Sequence, residues 1–224
     1  MDFLKIITAS KDEVIKSFDR IAENLFNNYL LQINESHYRL VDIEFYFFSE
    51  DGLFKDIYTH QHEAQLNSAK WYFHKSGIDL TIGNKTDHGG ILLRGLAKLK
   101  KGDFVVEKDF HGPLNVKMEI CSNLYGAFED KCNVFRLNEI HGESGGVIMK
   151  SPSYIIKTKR IGLSPKNEDT NNEYLNAEFR YQVLLDDFKL NYKNKEAIVK
   201  SLLASNIIDT LKAKEILGYN VTVL

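Results

Sequence analysis

Acidic and aromatic side chains alternate along one segment that otherwise has the composition of a buried β-strand. In RLVDIEFYFF, residues 39–48, successive side chains point to opposite faces of a strand, so Asp42, Glu44 and Tyr46 share one face. A carboxylate on a strand can act as a general base, and a neighbouring aromatic ring can stack on a flat substrate. The alternative is an open strand face in contact with solvent, where the same side chains carry no chemistry.

Three histidines form a second candidate group. His60 and His62 are separated by one residue, and His74 follows in WYFHKSG. Two histidines at i and i+2 on a strand face the same way and can bind a metal, but the nearest carboxylate, Glu63, directly follows His62. Surface or hydrogen-bonding histidines are therefore the favoured interpretation, and no metal is predicted.

The segment EIHGESGG, residues 139–146, is a glycine-containing turn that carries His141 and Glu143. Glycines can bring backbone amides close to a phosphate. The segment lacks the lysine and the helix that a nucleotide-phosphate loop needs, so a plain turn between strands is predicted.

The charge balance restricts how this chain could bind nucleic acid. Its 224 residues carry a net charge of −2, whereas nucleic-acid-binding domains are often strongly basic. Any phosphate-binding surface must therefore be local. The candidate residues are Lys98, Lys100, Lys101 and Lys108, and the larger cluster Lys150, Lys157, Lys159 and Arg160.

Composition and cysteine usage indicate the cellular setting. The chain is 43% hydrophobic and 27% charged, as expected for a globular protein with one sizeable core. No apolar run approaches the ~20 residues that a transmembrane helix needs, and the N-terminus has no secretory pattern. Only two cysteines occur, in no metal-binding or redox spacing. A cytoplasmic protein with no membrane partner is predicted.

The hydrophobic pattern predicts an α+β fold. Ser10 and Glu13 form a capping box, and the apolar spacing that follows predicts an amphipathic helix over residues 11–27. Residues 115–130 are ambiguous, and residues 164–173 read as an exposed loop. Alternating or β-branched segments predict strands at 29–33 and 37–48, within 71–83, and at 89–96 and 178–185.

Two short helices are predicted between about residues 195 and 217. The predicted architecture is one domain with a mixed, largely antiparallel β core, an N-terminal helix packed on it and a short helical C-terminal tail. Residues 1–194 form the domain, and residues 195–224 form an extension packed on it.

The order of these segments resembles the alkyladenine (3-methyladenine) DNA glycosylase family. VDIEFY (41–46) is similar to that family's VETEAY-like strand, and ILLRGL (91–96) to its VLLRA strand. KRIGL (159–163) and EFRY (178–181) resemble the family's late RIG segment and its closing arginine-aromatic strand. Each motif is short and not specific alone, and the resemblance rests on their order from about residue 12 to 182.

The resemblance implies a DNA glycosylase that removes damaged or modified purines in base excision repair. Such enzymes rotate the nucleotide out of damaged DNA and enclose its base. Glu44 would activate the water that attacks the sugar carbon, Tyr46 would form one wall of the base pocket, and Arg94 would be an active-site residue. Asp42 would orient its surroundings. No cofactor and no Schiff-base lysine are implied, so hydrolysis leaves an abasic site.

The chain departs from the family in the tyrosine-rich hairpin YVYxxYG. WYFHKSG takes its place, with Tyr72 and His74 matching the first two tyrosines and Ser76 at the position of the plug. A histidine that lines the family's pocket corresponds to His60 or His62. Serine cannot fill a base-sized gap, and Lys75 is a possible substitute for the plug.

Several alternatives follow from these features. One is altered specificity on the same fold, for a different modified base or for single-stranded DNA. Another is a non-catalytic nucleic-acid-binding module on the same scaffold. A third is a metal-dependent enzyme that uses the three histidines. Under the glycosylase hypothesis the phosphate-binding residues are Lys157, Lys159 and Arg160.

Overall fold

The first helix and the strands that follow it determine the layout of the fold. The computed structural model describes residues 2–140, 154–185 and 189–221. Helix α1 spans Lys11–Asn28, and the Ser10 hydroxyl caps it by accepting a hydrogen bond from the Glu13 N–H at 3.2 Å. Its apolar face is buried, including Val14 and Phe18, which confirms the predicted amphipathic helix.

The nine strands found in the described residues pair antiparallel throughout. The main order is β3-β4-β5-β2-β1-β7, while β6 pairs with the end of β5, and β9 pairs with β2 and β8. This arrangement confirms the predicted α+β class. The strands are β1 Tyr29–Ile33, β2 Ser36–Phe48, β3 Ser68–His74, β4 Gly77–Ile82, β5 His88–Leu99, β6 Val106–His111, β7 Phe135–Glu139, β8 Tyr154–Thr158 and β9 Arg180–Leu184.

Strand β2 is central and has two different faces. Val41, Ile43, Phe45 and Phe47 are fully buried in the core, and the Phe45 ring stacks on Phe18 of α1 at 4.6 Å between centroids. Burial of each such side chain contributes roughly 1.5–3 kcal/mol, so packing against β2 is what stabilises α1. The opposite face of β2 therefore carries Asp42, Glu44 and Tyr46, as the alternation predicts.

Part of the region that the sequence left ambiguous, residues 115–130, forms a second helix. Helix α2 spans Pro113–Ser122 and contacts β4 and β5. Pro113 occupies its first turn, where a missing N–H costs nothing, and Gly112 precedes it at φ 92°. The polar residues 164–173 form mostly irregular structure, which ends in a short helical turn, Thr170–Asn172, and the one-turn helix α3, Glu173–Asn176.

The C-terminal region contains the two predicted helices, α4 Lys195–Ala204 and α5 Thr210–Leu217. Ile198 and Val199 of α4 are buried in the same hydrophobic core as the sheet. None of the helices in the described ranges is long and apolar enough to cross a membrane. The glycine turn with His141 and Glu143 lies largely outside the described residues, and so does Lys150.

Candidate active site

A row of side chains crosses four neighbouring strands on the face of the sheet that is turned away from α1. Asp79 of β4 lies opposite Leu92 of β5, Leu92 lies opposite Glu44 of β2, and Glu44 lies opposite Arg180 of β9. Directly opposed residues of antiparallel strands share a face. The register thus brings carboxylates and an arginine from distant parts of the chain into one line.

Glu44 occupies the middle of this row and has no exposed surface. Its Oε2 accepts hydrogen bonds from the Tyr46 hydroxyl at 2.9 Å and from Nη1 of Arg94 at 3.3 Å. Its Oε1 accepts a hydrogen bond from the Ile161 N–H at 2.9 Å, and Nε of Arg180 lies 4.0 Å away. Three residues matched to the glycosylase motifs, Glu44, Tyr46 and Arg94, are therefore in direct contact.

The environment of Glu44 tunes its proton affinity. Burial raises the pKa of the Glu44 carboxyl above its ordinary value. The positive charge of Arg94, the Ile161 N–H and the Tyr46 hydroxyl oppose that increase in pKa. A carboxylate with a perturbed pKa beside a cleft is a candidate for proton transfer.

A cleft of about 630 Å³ opens in front of this group. Its volume lies within the range of small-molecule sites. Tyr46 and Arg94 line the cleft, whereas the buried Glu44 in contact with them does not. The other lining residues are Tyr58, His60, Gln65, His74, Ser76, Asp79, Leu92, Pro113 and the loop Ile161, Gly162, Leu163, Ser164, Pro165 and Lys166.

Tyr46 offers only one ring face to a ligand. The Arg160 guanidinium lies 4.5 Å from the centroid of the ring and covers one side. Burial raises the pKa of the Tyr46 hydroxyl, so the group stays protonated and donates to Glu44. Tyr46 lines the cleft, and an aromatic ring there can stack on a flat ligand.

A second polar group lies on the β3–β4 side of the cleft. Nε2 of His74 lies 3.0 Å from Oδ1 of Asp79, and Oδ2 of Asp79 accepts a hydrogen bond from Gln65 at 3.0 Å. The His60 ring packs edge-on against His74, with centroids 4.5 Å apart. Gly90 makes room for this group, since a Cβ there would lie 2.6 Å from Oδ2 of Asp79.

The structure corrects two of the predicted substrate contacts. Tyr72 stacks on His74 at 5.1 Å and on His62 at 4.8 Å between centroids. Nδ1 of His62 accepts a hydrogen bond from the Ala64 N–H at 3.1 Å and so caps a short helical turn. Neither Tyr72 nor His62 lines the cleft; the Tyr72 ring contacts His74, and the His62 ring contacts Tyr72.

Asp42 is a third correction. Its carboxylate accepts hydrogen bonds from Nε and Nη2 of Arg180 at 2.9 and 2.6 Å, and only 1% of the residue is exposed. Asp42 therefore does not reach the cleft as a substrate-binding residue. It holds Arg180 next to Glu44, which agrees with an orienting role.

The predicted phosphate contact by Arg160 is wrong. The Arg160 side chain has no exposed surface, and it binds both oxygens of Asp56 at 2.5 and 3.0 Å. It also donates to the carbonyl oxygens of Phe45 and Tyr174, each at 3.0 Å. A run of basic residues in the sequence suggests a solvent-exposed patch. Arg160 is instead buried in an ion pair with Asp56.

The neighbouring lysines remain exposed. Nζ of Lys157 lies 2.5 Å from Oδ1 of Asp19, and Nζ of Lys159 donates to Asn176 at 2.9 Å. The surface ion pair of Lys157 is worth about 0–1 kcal/mol, and the hydrogen bond of Lys159 to Asn176 is likewise exposed, so both lysines are available to a phosphate.

Sequence reasoning missed Asp79, Gln65 and the loop from Ile161 to Lys166 as parts of the cleft. Asp79 alternates with apolar residues of β4, a pattern that an ordinary half-exposed strand shares. Asp79 differs from a residue of such a strand because it is only 2% exposed, and the alternation pattern cannot reveal that burial.

Comparisons with known proteins give one distant relative and no family. No protein-family model matches the chain. The chain is similar to an uncharacterized protein of Acanthamoeba polyphaga mimivirus, with 28% identity over 222 residues, covering 83% of this chain and 92% of the relative.

Proposed function

We propose that this chain is a hydrolase that cleaves the N-glycosidic bond of a damaged or modified purine in DNA. The observation that carries the proposal is the direct contact of Glu44 with Tyr46 and Arg94 at the wall of the cleft. The order of the VDIEFY, ILLRGL, KRIGL and EFRY motifs supports the same reaction, through their resemblance to the alkyladenine DNA glycosylases.

The cleft suits one extrahelical base. A glycosidic bond inside a duplex is inaccessible, so the nucleotide must rotate out before reaction. The uncovered face of Tyr46 stacks on the base, an interaction worth roughly 1–3 kcal/mol. His60 and His74 bound the same space.

Glu44 is the final acceptor of the proton from the attacking water. Because Glu44 is fully buried, the Tyr46 hydroxyl relays that proton. The water oxygen bonds to the sugar carbon and its proton passes to the oxygen of Tyr46, while the proton of Tyr46 passes to Glu44. The electron pair of the broken bond leaves with the base. A 3-alkylated purine is cationic and departs neutral, so it needs no proton donor.

Arg94 and Arg180 are positioning residues for Glu44. Arg94 binds Oε2 of Glu44, and its positive charge favours the ionised carboxylate that the reaction requires. The negative charge of Glu44 in turn stabilises the positive charge that develops on the sugar in the transition state.

The proposal is tested with the purified chain and DNA that contains a 3-alkylated adenine. Release of free base is measured by chromatography with a chelator present, and undamaged DNA of the same sequence is the control. We expect base release from damaged DNA alone, and an abasic site in the strand. Binding of damaged DNA without release of any purine would instead identify a non-catalytic binding module.

A further inference from the structure

We infer that His60, His74 and Asp79 form a binding site for one divalent transition-metal ion, Zn²⁺ or Fe²⁺. One ligand atom of each residue lies within 4.8 Å of the other two. The three side chains line the same cleft as Tyr46 and Arg94. They are distinct from the group formed by Glu44 and its hydrogen-bond partners. The inference concerns the metal alone and does not rest on the proposed reaction.

The spacing of the three side chains is close to that of a metal site. Ligand atoms about 2.0–2.2 Å from a tetrahedral ion are about 3.3 Å apart. Nε2 of His74 and Oδ1 of Asp79 are 3.0 Å apart, so this pair already has nearly the required spacing. Only His60 must approach further, and as an exposed side chain it can do so by changing rotamer.

The His74–Asp79 pair is held in place before any ion binds. The side chains of His74 and Asp79 are only 7% and 3% exposed. Gln65 donates to the second oxygen of Asp79 at 3.0 Å, as outer residues commonly do for a ligating carboxylate. Gly90 leaves the space that Asp79 and Gln65 occupy.

Two polar atoms of this cluster have unmet hydrogen-bonding capacity. Within the described part of the chain, Nδ1 of His74 and Oε1 of Gln65 are buried and have no hydrogen-bond partner. Buried polar atoms without a protein partner are rare in native proteins, and a bound ion or an ordered water often satisfies them. Because Nε2 of His74 is the proposed ligand atom, Nδ1 of His74 and Oε1 of Gln65 lie outside the coordination sphere, where an ordered water would satisfy them.

The ligand types select the metal. Two imidazole nitrogens and one carboxylate oxygen suit Zn²⁺ or Fe²⁺, whereas Mg²⁺ and Ca²⁺ prefer sites made of oxygen alone. All three residues line the cleft, so a bound ion would keep at least one coordination position open to it.

The experiment is titration of the full chain, freed of metal by a chelator, with Zn²⁺ and separately with Mg²⁺ by calorimetry. Anaerobic titration with Fe²⁺ distinguishes the two transition metals. We expect one Zn²⁺ or Fe²⁺ per chain and no binding of Mg²⁺. Gln65→Ala should weaken the binding by about 10–100-fold, the usual effect of losing an outer hydrogen bond, and His60→Ala should weaken it at least as much.

His62→Ala is the matched control, because His62 lies two residues from His60 but outside the cluster. The exposed Cys121 and Cys132 are potential adventitious ligands, so the titration is repeated after Cys→Ser substitution at both positions. His60 is exposed, and its substitution should leave the fold intact, which circular dichroism checks. Absence of Zn²⁺ and Fe²⁺ binding, equal affinity in His60→Ala, or loss of binding in His62→Ala would each overturn the inference.

Discussion

The Tyr46 hydroxyl donates a hydrogen bond to Oε2 of Glu44 at 2.9 Å and thereby connects a fully buried carboxylate to an open cleft. The two residues lie on the same face of β2, two positions apart. A carboxylate at this depth has no direct access to a water in the cleft. The pair, rather than Glu44 alone, is therefore the unit that we propose carries out the proton transfer.

Substitutions of Tyr46 separate its hydroxyl from its ring. Tyr46→Phe keeps the stacking surface but removes the proton relay, so the single-turnover rate of base release should fall by about 100-fold or more with DNA binding unchanged. Tyr46→Ala should also weaken capture of the base, by roughly 1–3 kcal/mol. A Tyr46→Phe variant with the full rate would show that Glu44 meets the water without the hydroxyl.

The pH dependence of the rate should report on Arg94. In the proposed mechanism Glu44 must be ionised to accept a proton, so activity should be lost as pH falls through its pKa, which burial raises and Arg94 lowers. Arg94→Met removes the charge that favours ionisation, so the acidic limb of the rate profile should move to higher pH. Arg136→Met, at an exposed arginine of β7, is the control. An acidic limb that does not move in Arg94→Met would contradict the assigned role.

Local patterns in the sequence predict the strand that carries this site but not its surroundings. Alternation along β2 correctly places Asp42, Glu44 and Tyr46 on one face. The same alternation cannot show that the face is covered, because the covering residues come from far along the chain: Arg180 is 138 residues from Asp42, its partner. Segments that are distant in the sequence bury this face of β2, and that burial raises the pKa of Glu44.

Runs of charged residues predict the exposure of side chains less well than strand alternation predicts which face they share. Lys157, Lys159 and Arg160 look equivalent in the sequence, yet the lysines are exposed and the arginine is fully buried. Its partner Asp56 lies 104 residues away in the chain, in a segment with no regular pattern. No local signal distinguishes an arginine that binds phosphate from one that neutralises a buried carboxylate.

Arg160 should therefore matter for stability. Arg160→Met leaves Asp56 buried without its cation, and loss of one partner from a buried pair costs about 3–5 kcal/mol of unfolding free energy. Lys159→Met, at an exposed neighbour, should change that free energy by about 0.5 kcal/mol or less. Urea denaturation measures both. Normal stability of Arg160→Met together with lost DNA binding would restore the phosphate-binding assignment.

Under the proposed function, the small residue at the position of the glycosylase plug should favour substrates that are already unstacked. Ser76 lies exposed between β3 and β4 at the edge of the cleft and is too small to fill the gap left by a flipped base. Extrusion costs a few kcal/mol, so a modified purine in single-stranded DNA should react faster than in a duplex. Ser76→Tyr should reduce that difference, with Lys131→Tyr, at an exposed residue outside the cleft, as the control. Faster reaction on duplex DNA by the unaltered chain would contradict this prediction.

The most direct test of the account is the single-turnover rate of base release by Glu44→Gln. Glutamine preserves size and hydrogen-bonding shape but cannot accept the proton, so the rate should fall by about 100-fold or more. Binding of damaged DNA should persist, and Glu50→Gln, at an exposed glutamate, should react normally. The unaltered chain should keep its rate in the presence of a chelator. Full activity of Glu44→Gln, or loss of activity on chelation, would contradict the account.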